Sequence, residues 1–226
     1  MKKSFIVGWV LLFGFLGAEE VPLERSIVPR EEGATWTFGS RRYEKGRETV
    51  VGTATQEVVR TLSVEGQRCF RIKQTYDYRS LWERMLGTKP DENPFYFWEY
   101  VDENGSHNFA EEGGGKHTPK FLSEFELTLP YPVKKGHSYK AEGCHWTVLN
   151  VEKTVKVPAG TYQCVVYQAV YKGGHEEMWS RNRFFLAPGV GLVCLEIDFR
   201  KDGKWVLDTR DELMRYRLPS VRSGKE

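Results

Sequence analysis

Three groups of residues in this chain have types and spacings that chemistry uses, and each is incomplete. His175-Glu176-Glu177 begins like the zinc-binding H-E-x-x-H pattern but lacks the second histidine. Strand alternation would place His175 and Glu177 on one face and Glu176 on the other, so the run reads as the polar start of a hairpin. Cys144 and His145 are adjacent, and neighbours on a strand point to opposite faces, so regular backbone cannot join them as nucleophile and base. The carboxylates of Glu99 and Glu177 would serve glycan hydrolysis only if folding brought them about 5 to 9 Å apart in an aromatic cleft. There is no G-x-S-x-G elbow, and His107, His117 and His137 lie near turns or loops where solvent is expected. The glycines of EEGGGKHTP, residues 111–119, lack the spacing of a phosphate loop and read as a surface loop or a lid over a cleft. No catalytic residue, metal ligand or cofactor is therefore assigned.

Aromatic residues carry the stronger signal. Trp36, Trp98, Trp146, Trp179 and Trp205 fall on predicted strands, and PFYFWEYV at residues 94–101 is apolar on both phases. Most of these side chains must build a core. Tyr96, Trp98 and Tyr100 share one phase and are the candidate ligand-binding residues, able to line an apolar pocket or stack on sugar rings. With both phases apolar, one is expected in the core while the other meets a ligand, a covering loop or a partner.

The elements that must position these residues are strands. Short β-branched and aromatic runs divided by Gly, Asn, Asp and Pro predict strands over 34–42, 49–64, 68–78, 94–101, 107–110, 146–157, 161–171, 175–185, 191–200 and 205–217. Ser80 to Leu86 is the one short helical candidate. In the strand over 191–200, Val193, Leu195, Ile197 and Phe199 share the phase expected to face inward. Pro158-Ala159-Gly160 and Ala187-Pro188-Gly189 read as turns, and Gly189 and Gly191 as sites of tight backbone packing or a bulge. Serial strands with short links predict an all-β antiparallel meander that curls into a strongly curved sheet or a partly open β-barrel.

Residues 1–18 have the form of a secretory signal peptide: a basic start at Lys2-Lys3, an apolar run from Phe5 to Leu16, and a small-residue exit at Gly17-Ala18. The run is shorter than the roughly 20 residues of a membrane-spanning helix. Cleavage after Ala18 would leave 208 of 226 residues, exported to the periplasm or the extracellular space, with no transmembrane segment. Residues 19–33 read as a flexible lead-in, 34–218 as one all-β domain, and 219–226 as a disordered tail. Lys2 and Lys3 leave with the signal, so 33 basic residues become 31, equal to the 31 acidic ones. That balance argues against a nucleic-acid partner. Cys69, Cys144, Cys164 and Cys194 contain no C-x-x-C pair, so zinc is not expected, and export permits either a disulfide or free thiols. Cys69 and Cys194 alternate with charged residues and fall on polar sheet phases.

Five blocks in order carry a family likeness: GATWTF at 33–38, LPYPVKKGHSY at 129–139, VKVPAGTYQCVVY at 155–167, FFLAPGVGLVCLEI at 184–197 and DELMRYRL at 211–218. Together they resemble a secreted bacterial domain of unknown function, TapB-like. The resemblance implies an all-β exported protein with a curved sheet around a greasy cleft, and no established catalysis. The chain departs from that pattern at Phe184-Phe185-Leu186, where relatives carry a Trp-Tyr pair, and it lacks the cysteine after the signal that lipid-modified relatives use. Membrane tethering is not carried over.

The leading expectation is a non-enzymatic exported β-protein that binds a lipid or other apolar small molecule, or an envelope protein, in a curved-sheet cleft. A secreted hydrolase of cell-wall or polysaccharide material and a structural protein-interaction module are the alternatives. A filled barrel interior would favour the last.

Overall fold

The computed structural model describes residues 27, 29–44, 47–77, 94–111, 117–141, 144–174 and 179–219. The helical candidate over 80–86, the polar run at His175 to Glu177, the glycines at 113–115 and the signal peptide lie outside the described residues.

Among the described residues, twelve strands form one antiparallel sheet. They are β1 Thr35–Glu44, β2 Arg47–Val64, β3 Gln67–Asp77, β4 Phe95–Val101, β5 Gly105–Ala110 and β6 Glu126–Pro130, then β7 Ser138–Ala141, β8 Cys144–Val157, β9 Gly160–Tyr171, β10 Ser180–Ala187, β11 Gly191–Lys201 and β12 Lys204–Arg217. Ten match the predicted strands within a few residues, except that the strand expected over 175–185 is observed from Ser180, residues 175–178 lying outside the described ones. The short β6 and β7 have no counterpart among them.

The sheet is a meander closed end to end, with the break in an unusual place. Its order runs β6-β5-β4-β3-β2-β1-β12-β11-β10-β9-β8-β7, so the first and last strands pair in the middle and the ring opens halfway along the chain. The expected curved, partly open barrel is observed as a nearly closed, barrel-shaped sheet. Pro130 and Pro132 sit at the opening, and a residue without an N–H cannot extend a ladder. The hairpins are set by residues that tolerate positive φ. Glu65-Gly66 and Asp202-Gly203 each place two successive left-handed residues between strands, the geometry that matches strand twist.

Cross-strand partners share a face, so register assigns each side chain to the inside or the outside of the barrel. Phe184 partners Tyr167 and Leu195, Tyr167 partners Val148, and Leu195 partners Asp211. Through Asp211 and Ser40 the same face continues to Trp36 and Phe38, and through Val58 and Ile72 it reaches Phe97. This is the inner face. Its apolar residues form two contiguous clusters, one around Trp36, Phe38, Val58, Ile72 and Leu213, the other around Trp146, Val148, Val165, Tyr167 and Leu186.

The end of the lead-in belongs to this interior. Ile27 is 1% exposed and packs in the Trp146 cluster. A Cβ on Gly191 would stand 3.6 Å from Pro29 and 3.8 Å from the Ile27 carbonyl, and Gly191 has φ +91°. Those are ordinary van der Waals distances, so it is the positive φ of the turn, not close approach of the lead-in, that calls for glycine there.

The outer face is buried in places for a different reason. Cys194, Glu196 and Asp198 alternate with the apolar phase of β11, yet all three are buried. Arginines lie over the carboxylates: Arg210 bridges Glu212 and Glu196 at 2.9 Å each, Arg183 holds Glu196 at 2.9 Å and Asp198 at 3.2 Å, and Arg181 holds Asp198 at 2.8 Å. Of the phase expected inward, Val193 is fully buried, while Leu195, Ile197 and Phe199 are only half-buried. On the other side ion pairs cover Glu196 and Asp198, while Cys194 packs in an apolar cluster with Phe185 against it.

Candidate functional site

A cavity of about 260 Å³ lies within the barrel. Its apolar wall comes from Phe97 of β4, Leu129 of β6, Trp146 of β8, Phe184 and Leu186 of β10, and Leu192 of β11. Strands from both sides of the β6/β7 opening therefore converge on one space, as only a rolled sheet allows. Its polar groups are Gln56, Glu99, Ser106 and Asn108 on strands, with Arg30 from the lead-in.

Glu99 organises the polar side. The Ser106 hydroxyl donates to its Oε1 at 2.7 Å, and Arg30 donates to Oε2 from Nε at 2.9 Å and Nη2 at 2.7 Å. The Arg30 guanidinium also lies 5.1 Å from the centre of the Trp36 ring, a cation–π distance. Among the described residues, Asn108 Oδ1 is buried without a hydrogen-bond partner. A buried amide oxygen of that kind is an acceptor available to a bound molecule or water.

Arg30 also lines a larger recess of about 640 Å³ at a mouth of the barrel, with Pro29, Arg68, Phe70, Asp102 and Glu103. Asp102 shapes this rim. Its Oδ1 accepts the Asn104 and Gly105 amides at 2.8 and 3.1 Å and meets His107 Nε2 at 3.0 Å. Burial pushes the Asp102 carboxyl up, but those amides and His107 outweigh it and hold the group below the ordinary value. The turn between β4 and β5, Asp102-Glu103-Asn104-Gly105, is thereby pinned. A Cβ on Gly105 would stand 2.1 Å from the Leu129 carbonyl, so glycine is required where β5 crosses β6.

The three aromatic residues singled out in the sequence occupy the opposite face. Trp98 and Tyr100 are buried with Val64, Cys69 and Phe125. Phe125 meets Tyr100 edge-on at 4.9 Å, and Tyr100 stacks on His107 at 4.6 Å. The covering segment contains a 3-10 turn at Leu122–Glu124, and its Leu122 N–H donates to Glu65 at 2.7 Å, tying it to the β2–β3 turn. Tyr96 lies under the Arg71 guanidinium at 4.1 Å, and Arg71 grips Glu111 at 2.7 and 2.9 Å. Thus the phase of Tyr96, Trp98 and Tyr100 meets a covering loop and an ion pair. Phe97 and Glu99, the other phase of β4, reach the cavity.

Other candidate chemistry stays apart. His107 is half-buried rather than solvent-facing, and His137 meets the Tyr139 hydroxyl. The four cysteines are buried, and Cys69, Cys164 and Cys194 stand as free thiols. Burial pushes the thiols of Cys69 and Cys164 up to about 11 and that of Cys194 up to about 12. The lumen residues that sequence reasoning missed are Arg30, Trp146 and Phe184. The one local signal for Trp146 and Phe184 was aromatic strand composition, which does not choose between faces, and Arg30, outside every strand, had none.

These features define a class: an all-antiparallel, nearly closed twelve-stranded barrel with a mixed apolar and polar lumen. Two solved structures place the fold more narrowly. One is a predicted exported protein with YmcC-like fold from Bacteroides fragilis, 15% identical, with a TM-score of 0.52 over 85% of this chain and 99% of that one. The other is a predicted lipoprotein from Parabacteroides distasonis, also 15% identical, with a TM-score of 0.51 over 85% of this chain and 98% of that one. At this identity the likeness is one of fold. No family model matches the chain, so the TapB-like resemblance rests on its five sequence blocks. No curated protein matches it in sequence.

Proposed function

We propose that this chain is an exported, non-enzymatic barrel that carries or senses an amphipathic small molecule in its lumen. The observation that carries this reading is the interior cavity of about 260 Å³, with aromatic and aliphatic walls on one side and Glu99, Ser106 and Asn108 on the other. An apolar pocket with a few convergent polar groups is the usual form of a small-molecule site. A cleft of this kind beside the packed core favours carriage over a scaffold role. The form of residues 1–18 supports export to the periplasm or the extracellular space.

The outer face supports a barrel that stands in water. The arginine–carboxylate ladder along β10, β11 and β12 is a charged exterior, whereas a membrane barrel presents an apolar band to lipid. Among the described residues, no helix is long and apolar enough to cross a membrane. Hydrolysis lacks support at the cavity, because Glu99 is held by Arg30 and Ser106.

Native mass spectrometry and organic extraction of the protein from its own exported fraction test the proposal. A reproducible co-purifying amphiphile is expected. Independently, a brominated octyl glucoside in the lumen should quench Trp146 fluorescence. Quenching that disappears in Trp146→Phe and persists in Trp98→Phe supports the site. The opposite pattern, or no quenching at any concentration below micelle formation, refutes it.

A further inference from the structure

We infer that the lumen is built to receive a cationic head group, and that Arg30 is an internal stand-in for it; this rests on the proposed lumen site and names its ligand class. The two partners of the buried ion pair differ in how they are anchored. Glu99 is fixed in the barrel wall, on β4 between β3 and β5, and the Ser106 hydroxyl holds one of its oxygens at 2.7 Å. Arg30 comes from a segment outside every strand. The barrel supplies the carboxylate, while the lead-in supplies the cation.

With Arg30 in place the Glu99 side chain is only 4% exposed, and the guanidinium that pairs with it lies 5.1 Å from the centre of the Trp36 ring; removing Arg30 would leave that carboxylate without its cation. Such a group strongly favours a replacement cation, and an aromatic face adds to the preference. Arg30 is also a divider, since it lines both the 260 Å³ lumen and the 640 Å³ recess at the mouth. Withdrawal of its side chain would open room in both spaces. An ammonium or guanidinium group could then sit on Glu99 while its apolar chain lies against Phe97, Phe184 and Leu186. Ile27, already packed in the Trp146 cluster, shows the same pairing of apolar body and nearby cation within the chain itself.

The test uses the mature exported protein and octyl compounds of three charges: octylguanidinium, octyl sulfate and octyl glucoside. Arg30→Ala is expected to bind octylguanidinium about tenfold more tightly than wild type, because the internal competitor is gone. Octyl sulfate should gain nothing, and adding Glu99→Gln should abolish the cation preference. Equal gains for sulfate and guanidinium, or a preference that survives Glu99→Gln, overturn the inference. If octyl glucoside binds but charge makes no difference, the lumen reading stands and this inference falls. If no octyl compound binds, both fall. Should Arg30→Ala fail to fold, the Arg30 Nε–H resonance of the wild type decides. Its displacement by octylguanidinium and not by octyl sulfate supports the stand-in role, and an unmoved resonance at saturating octylguanidinium overturns it.

Discussion

Arg30 donates twice to one oxygen of Glu99, at 2.9 and 2.7 Å, across 69 residues of sequence, and so fastens the lead-in inside the barrel. Both partners are largely withdrawn from water, with side-chain exposures of 13% and 4%. Removing one partner of such a pair leaves an uncompensated charge. Arg30→Ala should cost roughly 3 kcal/mol in denaturant unfolding. The double variant Arg30→Met, Glu99→Gln should recover much of that loss, because neither charge is left behind. Equal destabilisation by the single and double variants would show that packing of the lead-in, not the ion pair, is the source.

Trp98 is fully buried under the covering segment. Trp98→Ala should destabilise the protein by about 3 to 5 kcal/mol, the range for deleting a large aromatic side chain from a core. Octyl glucoside binding to the fraction that stays folded should not change. Weakened binding with unaltered stability would instead return the ligand site to the Tyr96, Trp98 and Tyr100 phase.

The thiols offer a direct check on burial. Cys69, Cys164 and Cys194 have pKa values raised to about 11, 11 and 12 by desolvation, so each stays protonated at neutral pH. Because the thiolate is the reactive species, iodoacetamide near pH 8 should leave these three unmodified in the native protein and modify them after unfolding. Mass spectrometry reads the difference. Rapid native labelling of Cys194 would contradict its packing.

Asp211 should make stability depend on acidity. It faces the interior opposite Ser40 and Leu195, and burial raises its pKa despite the Ser40 hydrogen bond. A carboxyl whose pKa is higher folded than unfolded favours the folded state when protonated. That contribution is complete below the ordinary value of 3.8 and is lost as pH rises through the folded value. Asp211→Asn should therefore be more stable than wild type at neutral pH, with the advantage shrinking on acidification. Urea midpoints at several pH values measure it, and a constant or growing advantage at low pH would refute the assignment.

Most of the strand pattern was legible because alternation and turn residues are local. Phe70, Ile72 and Tyr76 fall on the inner face as their spacing implies, and Asp102 to Gly105 makes the turn between β4 and β5. The short β6 and β7 were not legible. Their four or five residues stand among prolines and glycine, and their pairing is defined by neighbours rather than by any pattern of their own.

The sequence by itself determined an all-β antiparallel meander and its main turns, because strand periodicity and the left-handed tolerance of glycine act within a few residues. It also restricted the aromatic strand at residues 94–101 to cover on both sides. Only the tertiary structure decided which side faces the lumen, since both phases of that strand carry aromatic side chains and register alone links Phe97 to Ile72 and Phe184 to Tyr167. The joining of β1 to β12, the opening at β6 and β7, and the meeting of Arg30 with Glu99 are likewise long-range. Contacts of that kind leave no local signature, because their free energy exists only once the sheet has rolled up and withdrawn both partners from water.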